Sequence, residues 1–109
     1  MIQVTVAEKN NEISAFTISG HANSGPYGYD LVCAAVSAVT FGAVNAVLEL
    51  AKINLEIDQA GEGGYLAVNL PPNGTSDQKQ KAQLIFEAML VSLETIEREY
   101  SQFIQIKRN

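Results

Sequence analysis

Two side chains in this sequence could do nucleophilic chemistry together, and each occurs once. His21 is the only histidine and Cys33 the only cysteine among 109 residues. A thiol whose proton is taken by an imidazole is a nucleophile for acyl transfer. Cys33 follows Asp30 by three positions, and Asp30 is a favoured N-cap standing before an apolar run. The spacing therefore places Cys33 in the first turn of a helix. There a sulfur meets unpaired backbone N–H groups and the positive end of the helix dipole, which favour the thiolate. The same N–H groups are candidates for an oxyanion hole. Ser37 falls one turn later on the same helix face, within reach of the sulfur or of a substrate.

Each of these residues also has a plainer reading. A single cysteine in an Ala/Val-rich helix is often a small buried hydrophobe. A histidine after glycine is often a loop residue. Ser37 can bond the carbonyl four residues back. Asp30 either caps the helix or, as a third member of the site, orients His21. Composition and spacing leave these alternatives open.

The elements around the pair can be read from periodicity. Ile2, Val4 and Val6 alternate with polar residues as in a strand, Asn10-Asn11 is a turn, and Ile13 to Ser19 is a second strand. Gly20 ends that strand and delivers His21 at its exit. Gly25-Pro26 and Gly28 break regular structure between Ala22 and Tyr29, an eight-residue loop with Tyr27 and Tyr29 as aromatic surface. Those tyrosines face a substrate or pack back on the domain. A helix is expected from Leu31 to about Ala51, with Val32, Val36, Val39, Ala43, Val47 and Leu50 on one apolar face. Ala34, Ala38, Gly42 and Ala46 make a stripe of small residues that fits either the second helix or a second subunit.

Ile53, Leu55 and Ile57 predict a third strand, and Leu66, Val68 and Leu70 a fourth, with Gly61 to Gly64 as the turn between them. Thr75 and Gln78 match a capping box for a second helix running to about Tyr100. Its expected apolar face is Ala82, Ile85, Met89, Leu93, Ile96 and Tyr100. Ile104 and Ile106 suggest a last short strand. The order ββαββαβ favours an α+β fold: one domain over residues 1–109, an antiparallel or mixed sheet, and both helices on one face.

The totals narrow the function. A net charge of −5 argues against direct nucleic-acid binding or an anionic membrane surface. One cysteine and one histidine exclude a Cys/His zinc site, and no cofactor is expected. A lone thiol suits a reducing cytoplasm, and makes a redox sensor with an internal resolving cysteine impossible. The start of the chain reads as a strand without the basic region of a signal peptide. Leu31 to Leu48 is uncharged and nearly long enough to span a membrane, but its Ser37, Thr40, Gly42 and Asn45 suit a buried central helix better.

Gly20-His21-Ala22 and Tyr27-Gly28-Tyr29-Asp30-Leu31-Val32-Cys33-Ala34-Ala35-Val36-Ser37-Ala38 resemble the signature of the ribosomal-processing cysteine protease Prp family. Phe41-Gly42-Ala43-Val44-Asn45-Ala46 and Met89-Leu90-Val91-Ser92-Leu93-Glu94-Thr95-Ile96 look like the same family, so the resemblance spans essentially the whole chain. It implies a cytosolic, homodimeric cysteine endopeptidase that removes a short N-terminal extension from large-subunit ribosomal protein twenty-seven. In that resemblance Cys33 matches the nucleophile, His21 the general base and acid, and Asp30 an acidic position beside them. Family substrates carry an apolar segment before the cut, so an apolar groove is expected, with Ser37 and the Tyr27, Gly28, Tyr29 loop as substrate contacts. The competing class is a non-catalytic ribosome-assembly or protein-interaction module, in which Cys33 would be core and the alanine stripe an interface.

Overall fold

The computed structural model describes residues 1–22, 25, 30–61 and 64–109. Strands β1 (Ile2–Lys9) and β2 (Glu12–Ser19) precede helix α1 (Leu31–Ala46), which continues as a π-helical turn over Val47–Ala51. Strands β3 (Glu56–Gln59) and β4 (Tyr65–Asn69), helix α2 (Ser76–Glu99) and strand β5 (Ile104–Arg108) complete the expected ββαββαβ order.

The sheet order is β3-β4-β2-β1-β5. All neighbours are antiparallel except β1 and β5, which run parallel. A parallel neighbour requires a crossover connection. Helix α2 supplies it, carrying the chain from β4 past β2 and β1 to β5. Alternation then decides the faces: Ile2, Val4 and Val6 enter the core while Gln3 and Thr5 stay exposed. The sheet is thus apolar on the helix-covered face and polar on the other.

Asn10 and Asn11 both have positive φ (56° and 64°), as a two-residue hairpin turn matched to strand twist requires. The ladder then slips: Ala7 faces Ala15, Glu8 faces Ile13, and Ser14 is left over as a bulge. The Ser14 hydroxyl donates to the Ala7 carbonyl at 3.1 Å. With that extra residue, Ile13 and Phe16, three positions apart, both reach the core. Phe16 meets Phe86 of α2 edge to face, with centroids 5.0 Å apart.

The face α1 buries differs in part from the expected one. Val32, Val36, Thr40 and Val44 are buried, followed by Val47 and Ala51, whereas Leu50 is 64% exposed. In a run apolar nearly all round, periodicity permits more than one face, and packing selects. Thr40 tolerates burial because its hydroxyl donates to the Val36 carbonyl. The small-residue stripe is not covered by α2: Ala34, Ala38 and Gly42 are exposed, and a Cβ on Gly42 would meet nothing within 4 Å.

Helix α2 starts with the full capping box of Thr75 and Gln78. It buries Phe86 and Leu90 in addition to the expected Ala82, Met89 and Leu93, while Tyr100, its C-cap, is exposed. Pairing of β3 begins at Glu56, three residues after the expected start, because Lys52 ends the preceding helix in a left-handed conformation and Ile53 turns into the core before reaching a partner strand. At the sheet's edge, Ile57 remains 39% exposed although it pairs with core residue Val68.

Candidate active site

The site is assembled where β2 leaves the sheet. Gly20 has φ +89°, and a side chain there would overlap the Met1 carbonyl oxygen, so only glycine passes. Its N–H donates to the Gly64 carbonyl at 2.8 Å, tying the strand exit to the β3–β4 turn. His21 follows at once, exposed, with its imidazole lying over the bare Cα of Gly64. Ala22 is buried, which pins the backbone on the other side of His21.

The second half of the site is the start of α1. Asp30 is extended (φ −78°, ψ 102°), the conformation of an N-cap. Its Oδ1 accepts the N–H groups of Val32 at 3.1 Å and Cys33 at 3.0 Å. Its Oδ2 lies 3.3 Å from the Cys33 sulfur and accepts the thiol proton. The sulfur in turn accepts the Ala22 N–H at 3.3 Å. Cys33 is half-buried, held between the residue after His21 and the cap of its own helix. These two hydrogen bonds act in opposite directions: the amide donor favours a thiolate, and the carboxylate favours a protonated thiol.

The cap also alters the expected oxyanion hole. The N–H groups of Val32 and Cys33 are taken by the Asp30 carboxylate, and that of Ala34 by the Asp30 carbonyl at 3.0 Å. These three donors are satisfied within the helix start and are not aimed at a substrate. Among the described residues, the Ala22 N–H is the backbone donor directed at the Cys33 sulfur.

His21, Asp30, Cys33 and Ser37 line one groove of about 850 Å³. Ile2, Ile18, Val36, Phe41 and Leu66 give it an apolar lining, and Gln59, Ala60, Gly64 and Tyr65 form a wall from the β3–β4 hairpin. Ser37 is exposed one turn beyond Cys33. The candidate contacts Tyr27, Gly28 and Tyr29 lie outside the described residues. Among the described residues no group of three or more His, Cys, Asp or Glu could hold a metal ion. Sequence reasoning missed the hairpin wall, and Gly64 above all. The Gly-rich cluster signalled a turn, but its contact with His21 joins segments 43 residues apart and leaves no local mark.

Comparison with known proteins agrees over the full length. The family model described as cysteine protease Prp matches residues 1–105. The chain is 46% identical over 110 residues to the ribosomal processing cysteine protease Prp of Bacillus subtilis, covering 100% of this chain and 98% of that protein. It is similar to the crystal structure of an essential ribosomal processing protease Prp from Staphylococcus aureus with a covalently linked product peptide, at a TM-score of 0.91 and 36% identity over 100% of both chains. The same S. aureus protease in complex with a substrate peptide superposes at a TM-score of 0.84 with 35% identity, again over 100% of both chains.

Proposed function

Because the chain belongs to the cysteine protease Prp family and is a cysteine protease, we propose that it removes the N-terminal extension of large-subunit ribosomal protein twenty-seven, with Cys33 as nucleophile and His21 as general base and acid. The observation that carries this reading is the convergence of the molecule's one thiol and one imidazole on a single groove, brought from a strand exit and a helix start. Relatives bound to substrate and product peptides support a peptide in that groove.

In this mechanism His21 takes the Cys33 proton as the sulfur attacks the scissile carbonyl. The Ala22 N–H is placed to donate to the developing oxyanion once it no longer binds the sulfur. Collapse of the tetrahedral intermediate breaks the C–N bond, and the amine leaves with the proton held by His21. A water, deprotonated by His21, then attacks the thioester and releases the carboxylate product and the thiol. Asp30 fixes the sulfur through the helix cap, and Ser37 contacts the peptide one turn along. The acidic surface suits a basic precursor. In the same reading the protein is a cytoplasmic homodimer that binds neither nucleic acid nor membrane, and the exposed Ala34, Ala38, Gly42 stripe of α1 is the face a second copy would approach.

Mass spectrometry of the precursor mixed with wild type, Cys33→Ala and His21→Ala tests the reading. Wild type yields the trimmed protein and the released peptide, and neither variant does so at a comparable rate. Undiminished cleavage by Cys33→Ala would overturn it. Sedimentation of the native protein tests the dimer, a monomer at micromolar concentration counting against it.

A further inference from the structure

We infer that Gly64, in the turn between β3 and β4, is the positioning residue for His21: its missing side chain is the seat of the imidazole. Three observations carry this. A Cβ built on Gly64 would stand 2.7 Å from Nε2 of His21, 3.2 Å from Cε1 and 3.4 Å from Cδ2, so the Nε2 end of the ring occupies the side of Gly64 where a side chain would project. Real Cβ atoms do not approach to 2.7 Å, and the ring is the part that must give. Gly64 also has φ +81°, a conformation that L residues rarely adopt and that glycine adopts freely. Finally, the Gly64 carbonyl accepts the Gly20 N–H at 2.8 Å, fixing the turn to the residue immediately before His21.

His21 needs such a seat because it is otherwise weakly held. It is exposed and stands at the end of a strand, where its backbone leaves the ladder. The ring must point into the groove shared with Cys33 rather than swing into solvent. The Gly64 surface restricts it from beneath, while the Gly20 and Ala22 backbone bonds restrict its root. A base displaced by about one ångström from a near-attack arrangement loses on the order of a hundredfold in rate. The hairpin wall therefore places the proton acceptor without touching the reacting atoms.

The inference rests on His21 being the base, and the test keeps the two apart. The chain has a single histidine, so its Cε1–H resonance is assigned without ambiguity and reports the ring whether or not the protein cleaves anything. Gly64→Ala is compared with a semisynthetic protein carrying D-alanine at position 64. The D-residue accepts positive φ and directs its methyl away from the L position. Expected for Gly64→Ala are a moved His21 resonance and a kcat lower by about tenfold to a hundredfold, with KM within about twofold of wild type. D-alanine is expected to restore the resonance and most of kcat. An unmoved resonance in Gly64→Ala, or equal losses from the two alanines, overturns the inference. Wild-type cleavage by His21→Ala would instead remove the catalytic reading, while the resonance still tells whether Gly64 seats the ring.

Discussion

Both helices begin with a side-chain cap, yet only one of these caps lies in the candidate site. At the start of α2, Thr75 accepts the Gln78 N–H at 3.1 Å and Gln78 returns a bond to the Thr75 N–H at 2.9 Å. The arrangement is neutral and exposed, and its one bond beyond the box runs from the Gln78 amide to the Lys52 carbonyl at 3.2 Å, away from the groove. At the start of α1 the cap is a carboxylate. One oxygen holds two backbone donors and the other holds the thiol of the third helical residue. The difference shows how a site can grow from an ordinary helix start. A cap with a second oxygen, and a cysteine three residues on, couple the sulfur's position to the helix itself.

Mutations at the two caps and at their partners separate these roles. The largest effect belongs to Cys33→Ala, which is expected to lower precursor cleavage by on the order of a thousandfold or more in a single-turnover assay, with the thermal midpoint little changed. Next, His21→Ala is expected to cost about 10²- to 10⁴-fold in kcat, measured by the same assay, without slowing Cys33 alkylation to the level of an inaccessible thiol.

The third prediction addresses the caps directly. Asp30→Ala and Thr75→Ala should each lower unfolding free energy by about 1 kcal/mol in denaturant titrations. Only Asp30→Ala should also lower cleavage, because only that cap holds the sulfur. Asp30→Asn retains a capping oxygen but removes the charge beside the thiol. It is expected to move the pH profile of Cys33 alkylation to lower pH, since an adjacent carboxylate disfavours the thiolate. An unchanged profile would mean that the Oδ2–sulfur bond has no hold on the proton.

The smallest effect is expected far from the groove. Arg108 on β5 bonds Glu8 at 3.1 Å and also pairs with Glu87, contacts that hold its guanidinium above its ordinary pKa, first through Glu8 and then Glu87. The guanidinium is charged at any working pH, so the shift itself adds no pH dependence. Its side chain is 39% exposed, and Arg108→Ala should cost less than about 1 kcal/mol while leaving cleavage at the wild-type rate. A cleavage defect there would show that the end of the sheet opposite the start of α1 is coupled to the site.

Much of the fold follows from local rules. Asn10-Asn11 requires a tight hairpin, the alternation of β1 fixes its buried face, and Asp30 and Thr75 mark helix starts by chemistry that acts within three residues. The same locality made Cys33 legible as a first-turn residue. What was not legible depended on distant neighbours. Thr40 is buried and Leu50 exposed because the sheet and α2 cover one side of an apolar helix and not another. Ile57 alternates like a core residue but lies on an edge strand. The first-turn N–H groups looked available for an oxyanion, and the Asp30 cap had already taken them.

For this protein, sequence alone singled out the candidate pair, the helix start that carries Cys33, and the strand exit that carries His21. These depend on residue type and short spacing, which sterics and capping read directly. Tertiary structure decided that the pair shares one groove, that Ala22 presents its N–H to the sulfur, and that Gly64 lies beneath the imidazole. Those relations join segments from 11 to 43 residues apart. The last of them arises because β2 pairs with β4, which brings the β3–β4 turn to the exit of β2. A strand pairing is a property of two surfaces meeting, and neither segment records it by itself.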